Sequence, residues 1–165
     1  SVPPVDRITP GEQASIAVME QFFLERIGEY TRQRNDPNAN GTSNLSPYIR
    51  FGHISAQRIA LEALKNFSRS PDSDAFLEEL IIRKELADNF CYYNPDYDRV
   101  SGFRQWARDS LDQHRNDQRE FIYTTEEFET ASTHDELWNA AQLQMVHTGT
   151  MHNYCLLYTS DAADE

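Results

Sequence analysis

Thr42-Ser43-Asn44-Leu45-Ser46 gathers hydroxyl and amide groups immediately ahead of Pro47. Proline is favoured in the first turn of a helix, so the stretch reads as a turn opening onto a helix N-terminus, with Ser46 as its cap. Free backbone N–H groups and a dipole worth about half a positive charge make such a place suited to a phosphate or pyrophosphate. A plain capped turn has the same composition. Glu79 lies in the otherwise apolar run Phe76 to Phe90, where a carboxylate is costly unless it has partners or a task. The bland alternative is a surface glutamate, since neighbouring Glu78 and Glu79 cannot both face inward. Lys84 could approach a phosphate or pair with Asp88 four residues on. Trp138 carries the most readily oxidised side chain, or it simply fills a core.

These groups need helices to hold them. Thr9-Pro10-Gly11-Glu12 has the spacing of a capping box, and Val18, Met19, Phe22, Phe23, Ile27 and Tyr30 follow as one apolar stripe until Asn35-Asp36-Pro37-Asn38. A loop from Asp36 to Asn44 then feeds the helix at Pro47. Ser55 caps a helix carrying Ile59, Ala60 and Leu64 that ends before Ser70-Pro71. From about Ser73 to Phe90 apolar residues cover so much of the circumference that a central helix, buried on most sides, is predicted. An aromatic loop at Tyr92 to Tyr97 precedes helical spacing from Ser101 to Asn116. Thr124 to Glu127 and Thr133 to Glu136 mark two more helix starts by capping boxes, and Gly149 marks a stop. With no alternating strand pattern and no repeat, the predicted fold class is all-α, an irregular helical bundle.

Composition narrows the function classes. The chain has 165 residues and a formal charge of −12, which by itself argues against nucleic acid, because phosphate binding ordinarily shows as a basic patch. Any DNA contact must rest on local features. No apolar run reaches the roughly 20 residues of a membrane span. The start does not read as a signal peptide, and Cys91 and Cys155 form no framework, so a reducing compartment, no metal site and a buried Cys91 thiol are expected.

Three segments, in order and spacing, carry a resemblance to a known family. They are Arg34 to Asn40 running into Thr42 to Gly52, then Phe76-Leu77-Glu78-Glu79-Leu80-Ile81-Ile82-Arg83-Lys84-Glu85-Leu86-Ala87-Asp88-Asn89-Phe90, and Leu137-Trp138-Asn139-Ala140-Ala141-Gln142 to Met151-His152. Together they resemble the helical, flavin-binding domain of class II cyclobutane pyrimidine dimer photolyases. The resemblance implies FAD as cofactor and UV-damaged DNA containing pyrimidine dimers as partner. It implies repair by electron transfer from reduced FAD, and a monomer acting in the bacterial or archaeal cytoplasm or in the eukaryotic nucleus. A cryptochrome-like photosensor without repair activity is the alternative, and an acidic helical interaction module without cofactor is a second.

By the same resemblance Thr42, Ser43, Asn44, Leu45 and Ser46 cradle the flavin phosphates, Tyr30 and Lys84 contact the cofactor, Arg34 and Asn35 lie near the lesion, and Glu79 hydrogen-bonds the dimer. Trp138 belongs to the tryptophan relay that reduces FAD. Two positions depart from the pattern: Arg83 stands where some members place a tryptophan, and Asn153 where glycine is usual. Residues 1–154 are expected to be part of the domain, cut short on its C-terminal side. Cys155 to Glu165 resemble the translation of a sequencing adapter and are expected to be non-native, leaving this fragment inactive.

Overall fold

Phe22 has no exposed surface, and its ring centroid lies 5.9 Å from that of Tyr30 and 5.0 Å from that of Phe76. Three helical segments thus meet at one ring. The computed structural model describes residues 4–67 and 69–157, and the folded elements follow from local signals along that stretch.

Helix α1 spans Glu12–Glu25 and buries Ser15, Met19, Phe22 and Phe23. It begins at Gly11, whose φ of 111° only glycine adopts cheaply, and no side chain caps it. The expected Thr9 capping box does not form, because the helix starts two residues later at Gly11, whose N–H donates to His53 Nδ1 at 3.2 Å; the Thr9 carbonyl accepts the Tyr48 hydroxyl at 3.0 Å. The apolar stripe is interrupted at Arg26, and a 3-10 turn at Ile27–Glu29 leads into α2, Tyr30–Gln33. The Thr31 N–H donates to the Asp72 carboxylate at 2.8 Å, tying α2 to the helix that follows Ser70.

Helix α3 is Ser46–Arg50. Ser46 is inside it rather than capping it; Leu45 holds the cap position and its N–H donates to the Ser43 hydroxyl at 3.3 Å. Helix α4, Ala56–Asn66, is capped as expected by Ser55, which accepts the Arg58 N–H at 3.1 Å. Helix α5, Pro71–Leu77, starts on a reciprocal Ser70–Ser73 box and runs without a break into a π turn, Glu78–Arg83, and then α6, Lys84–Tyr93.

The main core joins α1 to α5: Met19, Phe22, Phe23, Ile27, Tyr30, Leu45, Tyr48, Ile54, Ile59, Ala63 and Phe76, closed by Leu80. Full burial of such a side chain contributes about 1.5–3 kcal/mol. The buried central helix is realised only as far as Leu80. Beyond it, Leu86 and Phe90 are 59% and 47% exposed, because none of the described elements covers that face of α6. Cys91, expected to be buried, is exposed for the same reason.

A 3-10 turn at Val100–Gly102 precedes α7, Gln105–Gln113. Helix α8, Thr125–Glu129, carries the expected Thr124–Glu127 box. Helix α9, Glu136–Thr148, is capped by Asp135, which accepts the N–H groups of Leu137 and Trp138, and not by Thr133. Thr133 is diverted into hydrogen bonds with Asn139. Gly149 closes α9 at φ 69°, and Val5 packs against it while Arg7 hydrogen-bonds Thr150, so the N-terminal segment lies across the end of α9. Among the described residues there is no strand, no helix long and apolar enough to cross a membrane, and no cluster able to hold a metal. Residues 158–165, most of the segment expected to be non-native, lie outside the described residues.

Candidate functional site

The loop after α2, the start of α3 and one face of the α5–α6 helix enclose an open cavity of about 520 Å³. Its lining divides by chemistry. Ser43, Ser46, Arg50 and Lys84 supply hydroxyls and cations, Tyr30, Ile49, Phe76 and Leu80 supply apolar surface, and Glu79 and Asp88 supply carboxylates. Such a site suits an amphipathic ligand with an anionic end.

Arg34 pairs with Glu79 of this lining, Nη1 to Oε1 at 2.8 Å. The Arg34 guanidinium also sits 5.7 Å above the Tyr30 ring. Burial raises the Tyr30 phenol above its ordinary pKa, and the Glu79 charge raises it further, while Arg34 pulls it back. Lys84 is held by Asp88, which raises its pKa by stabilising the ammonium through a hydrogen bond. The ion pair expected between these two is therefore present, and both partners line the cavity.

The π turn explains why Glu79 and Lys84 share a face. Successive α-helical residues turn by about 100°, so positions five apart point roughly 140° apart. A π turn pairs i with i+5 and absorbs one extra residue, bringing Glu79 into line with Lys84 and Asp88. The Arg83–Glu78 ion pair at 3.6 Å has the same five-residue spacing.

Of the residues singled out in the sequence, Tyr30, Ser43, Ser46, Glu79 and Lys84 converge on the cavity, and Arg34 reaches it through Glu79. Leu45 is 1% exposed and belongs to the core, and its N–H is taken by the Ser43 hydroxyl, so it does not line the cavity. Thr42 donates to Asn44 at 3.4 Å, and Asn44 adopts φ 59°, so these two shape the turn behind Ser43. Asn35 is exposed past the end of α2. Trp138 is set apart, half-buried in the first turn of α9 with its ring 5.0 Å from Phe128. Sequence reasoning missed Ile49, Arg50, Phe76, Leu80 and Asp88 as lining. Helical spacing carried the signal for two of them: Arg50 is four residues after Ser46 and Asp88 four after Lys84.

No protein-family model matches the chain. It is 54% identical to a deoxyribodipyrimidine photo-lyase of Oryza sativa subsp. japonica over 96% of this chain and 32% of that protein. It is 49% identical to the Arabidopsis thaliana protein of the same name, over 95% of this chain and 33% of that one. The Methanothermobacter thermautotrophicus protein of that name is 43% identical over 90% of this chain. The chain thus spans about a third of the length of the curated relatives it matches. Among solved structures, a class III photolyase from Agrobacterium tumefaciens superposes with a TM-score of 0.75 at 25% identity, covering 94% of this chain and 31% of that one. A Synechocystis cryptochrome, 19% identical with a TM-score of 0.67, shares the fold.

Proposed function

We propose that this chain is part of the helical domain of a class II cyclobutane pyrimidine dimer photolyase, a light-driven DNA repair enzyme. Homology over nearly all of the chain to proteins named deoxyribodipyrimidine photo-lyase supports the reading. The observation that carries it is the convergence of Tyr30, Ser43, Ser46, Glu79 and Lys84, drawn from separate segments, on one cavity.

The residues present fit FAD. Hydroxyls of Ser43 and Ser46 with the cations Lys84 and Arg50 suit its pyrophosphate, and Tyr30, Ile49, Phe76 and Leu80 suit its apolar parts. Bound there in its reduced form and excited by near-ultraviolet or blue light, FAD would supply the electron for opening the cyclobutane ring. The protein's own task is positioning. Glu79, in the cavity lining, would hydrogen-bond a dimer flipped out of the duplex and hold it against the cofactor. Arg34 and Asn35, at the end of α2, would meet the lesion and its backbone. Trp138 would pass an electron toward the cofactor along the α9 side.

UV-damaged DNA is thus the proposed partner, met by a monomer in the compartment that holds the DNA. With about a third of the relatives' length, this chain would provide one wall of the cofactor site. Fusing residues 4–154 into the corresponding place of a full-length relative tests the reading. The chimera should bind FAD and split thymine dimers under light; a folded chimera that holds no flavin would refute it.

A further inference from the structure

Asn40-Gly41 is the sole asparagine–glycine pair in the chain, and it opens the turn that leads to Ser43 and Ser46. We propose that Asn40 is a site of spontaneous deamidation, built in by the packing of Gly41. The two residues are bound together by geometry. Gly41 is buried against α2, and a Cβ there would stand 2.5 Å from the Gln33 Cβ and 2.7 Å from its carbonyl carbon. No other residue fits at position 41. Asn40 itself is exposed, in irregular backbone, and its side chain has one long contact, accepting from the Asn44 amide at 3.5 Å.

The chemistry balances without any cofactor. The Gly41 backbone nitrogen attacks the Asn40 side-chain carbonyl carbon, a C–N bond forms, and ammonia leaves with the amide nitrogen. A five-membered cyclic imide results. Water opens it at either carbonyl, giving aspartate or an isoaspartate linkage that carries the main chain through the side-chain carbon. Glycine's missing Cβ leaves the attacking nitrogen unhindered, which is why this dipeptide is labile. Every other asparagine is followed by a bulkier residue.

Either product places a new negative charge beside Asn44, behind Ser43, and isoaspartate also lengthens the backbone where Gly41 must fit against Gln33. An anion held by the turn is opposed by that charge. This consequence rests on the phosphate-turn reading above; the conversion itself does not.

The test ages the purified 165-residue chain at mildly alkaline pH and maps each asparagine by peptide mass spectrometry, with an isoaspartate-specific methyl transfer to mark the linkage. Asn40 should convert at least about tenfold faster than Asn44, Asn116 or Asn139, because glycine follows Asn40 alone. An Asn40→Gln chain should lose the fast phase while keeping its melting temperature. Conversion of Asn40 at the rate of the other sites, or a fast phase surviving in Asn40→Gln, would overturn the proposal. In the chimera described above, Asn40→Asp should weaken flavin retention relative to Asn40→Gln. A chimera that binds no flavin at all would count against the photolyase reading, while the mapping still decides the modification.

Discussion

Arg34 reaches 45 residues along the chain to place its guanidinium 2.8 Å from the Glu79 carboxylate, and the same guanidinium covers the ring of Tyr30. The three charges and dipoles are one electrostatic unit. Burial and Glu79 both oppose the Tyr30 anion, so its phenol keeps its proton to higher pH than an ordinary tyrosine does.

Titration of the phenol reads this unit directly. With its folded pKa raised above the ordinary 10.0, Tyr30 contributes stability that is fully present below that value and lost as pH climbs through the raised one. Alkaline unfolding should therefore be shallower in Tyr30→Phe. Glu79→Gln should bring the phenol pKa down, and Arg34→Gln should push it further up, as followed by tyrosinate absorbance. A change of the opposite sign in either variant would contradict the geometry.

Phe22 is the ring on which α1, α2 and α5 converge. Phe22→Ala should cost about 3–5 kcal/mol in denaturant unfolding, whereas Leu61→Ala, at a half-exposed site, should stay within roughly 0.5 kcal/mol.

Helix α8 has five residues and depends on its cap. The Thr124 backbone N–H and hydroxyl both donate to Glu127, holding that carboxyl below its usual pKa. The benefit is present above the ordinary carboxylate pKa and lost as pH falls through the lowered one. Thr124→Ala should speed amide hydrogen exchange at Phe128 and Thr130, and the difference from the parent chain should shrink in acid without vanishing, because the Thr124 hydroxyl still accepts the Glu127 N–H there.

In the restored full-length enzyme the two ends of the cavity should separate kinetically. Glu79→Ala should slow dimer splitting by roughly ten- to a hundredfold, the loss of a charged hydrogen bond, while flavin stays bound. Lys84→Ala should do the reverse, loosening flavin with less effect on the splitting step. Equal effects of both variants on both readouts would merge the two roles.

Helix content and most boundaries were legible because capping chemistry is local. Ser55, Thr124 and Gly149 do what their neighbours in sequence dictate. Thr9 and Thr133 failed for different reasons: the first helix starts at Gly11, two residues past Thr9, and Asp135 takes the cap of α9 while the Thr133 hydroxyl bonds Asn139. In the site, Glu79 and the serine turn were legible from a carboxylate in an apolar run and hydroxyls before a proline. The Arg34–Glu79 pair was not, since its members belong to different segments. Neither was the exposed face of α6, because an apolar side chain announces that it is to be covered and leaves open by what.

The π turn between Leu77 and Lys84 bears on how this helix is counted. It holds one residue more than an α-helix of the same span. A protein with the same cavity face and an unbroken α-helix would carry the equivalent lysine four positions after the glutamate instead of five. An alignment with such a protein would need a one-residue gap between Glu79 and Lys84, and Arg83, the last residue of the turn, would have no unique counterpart in it.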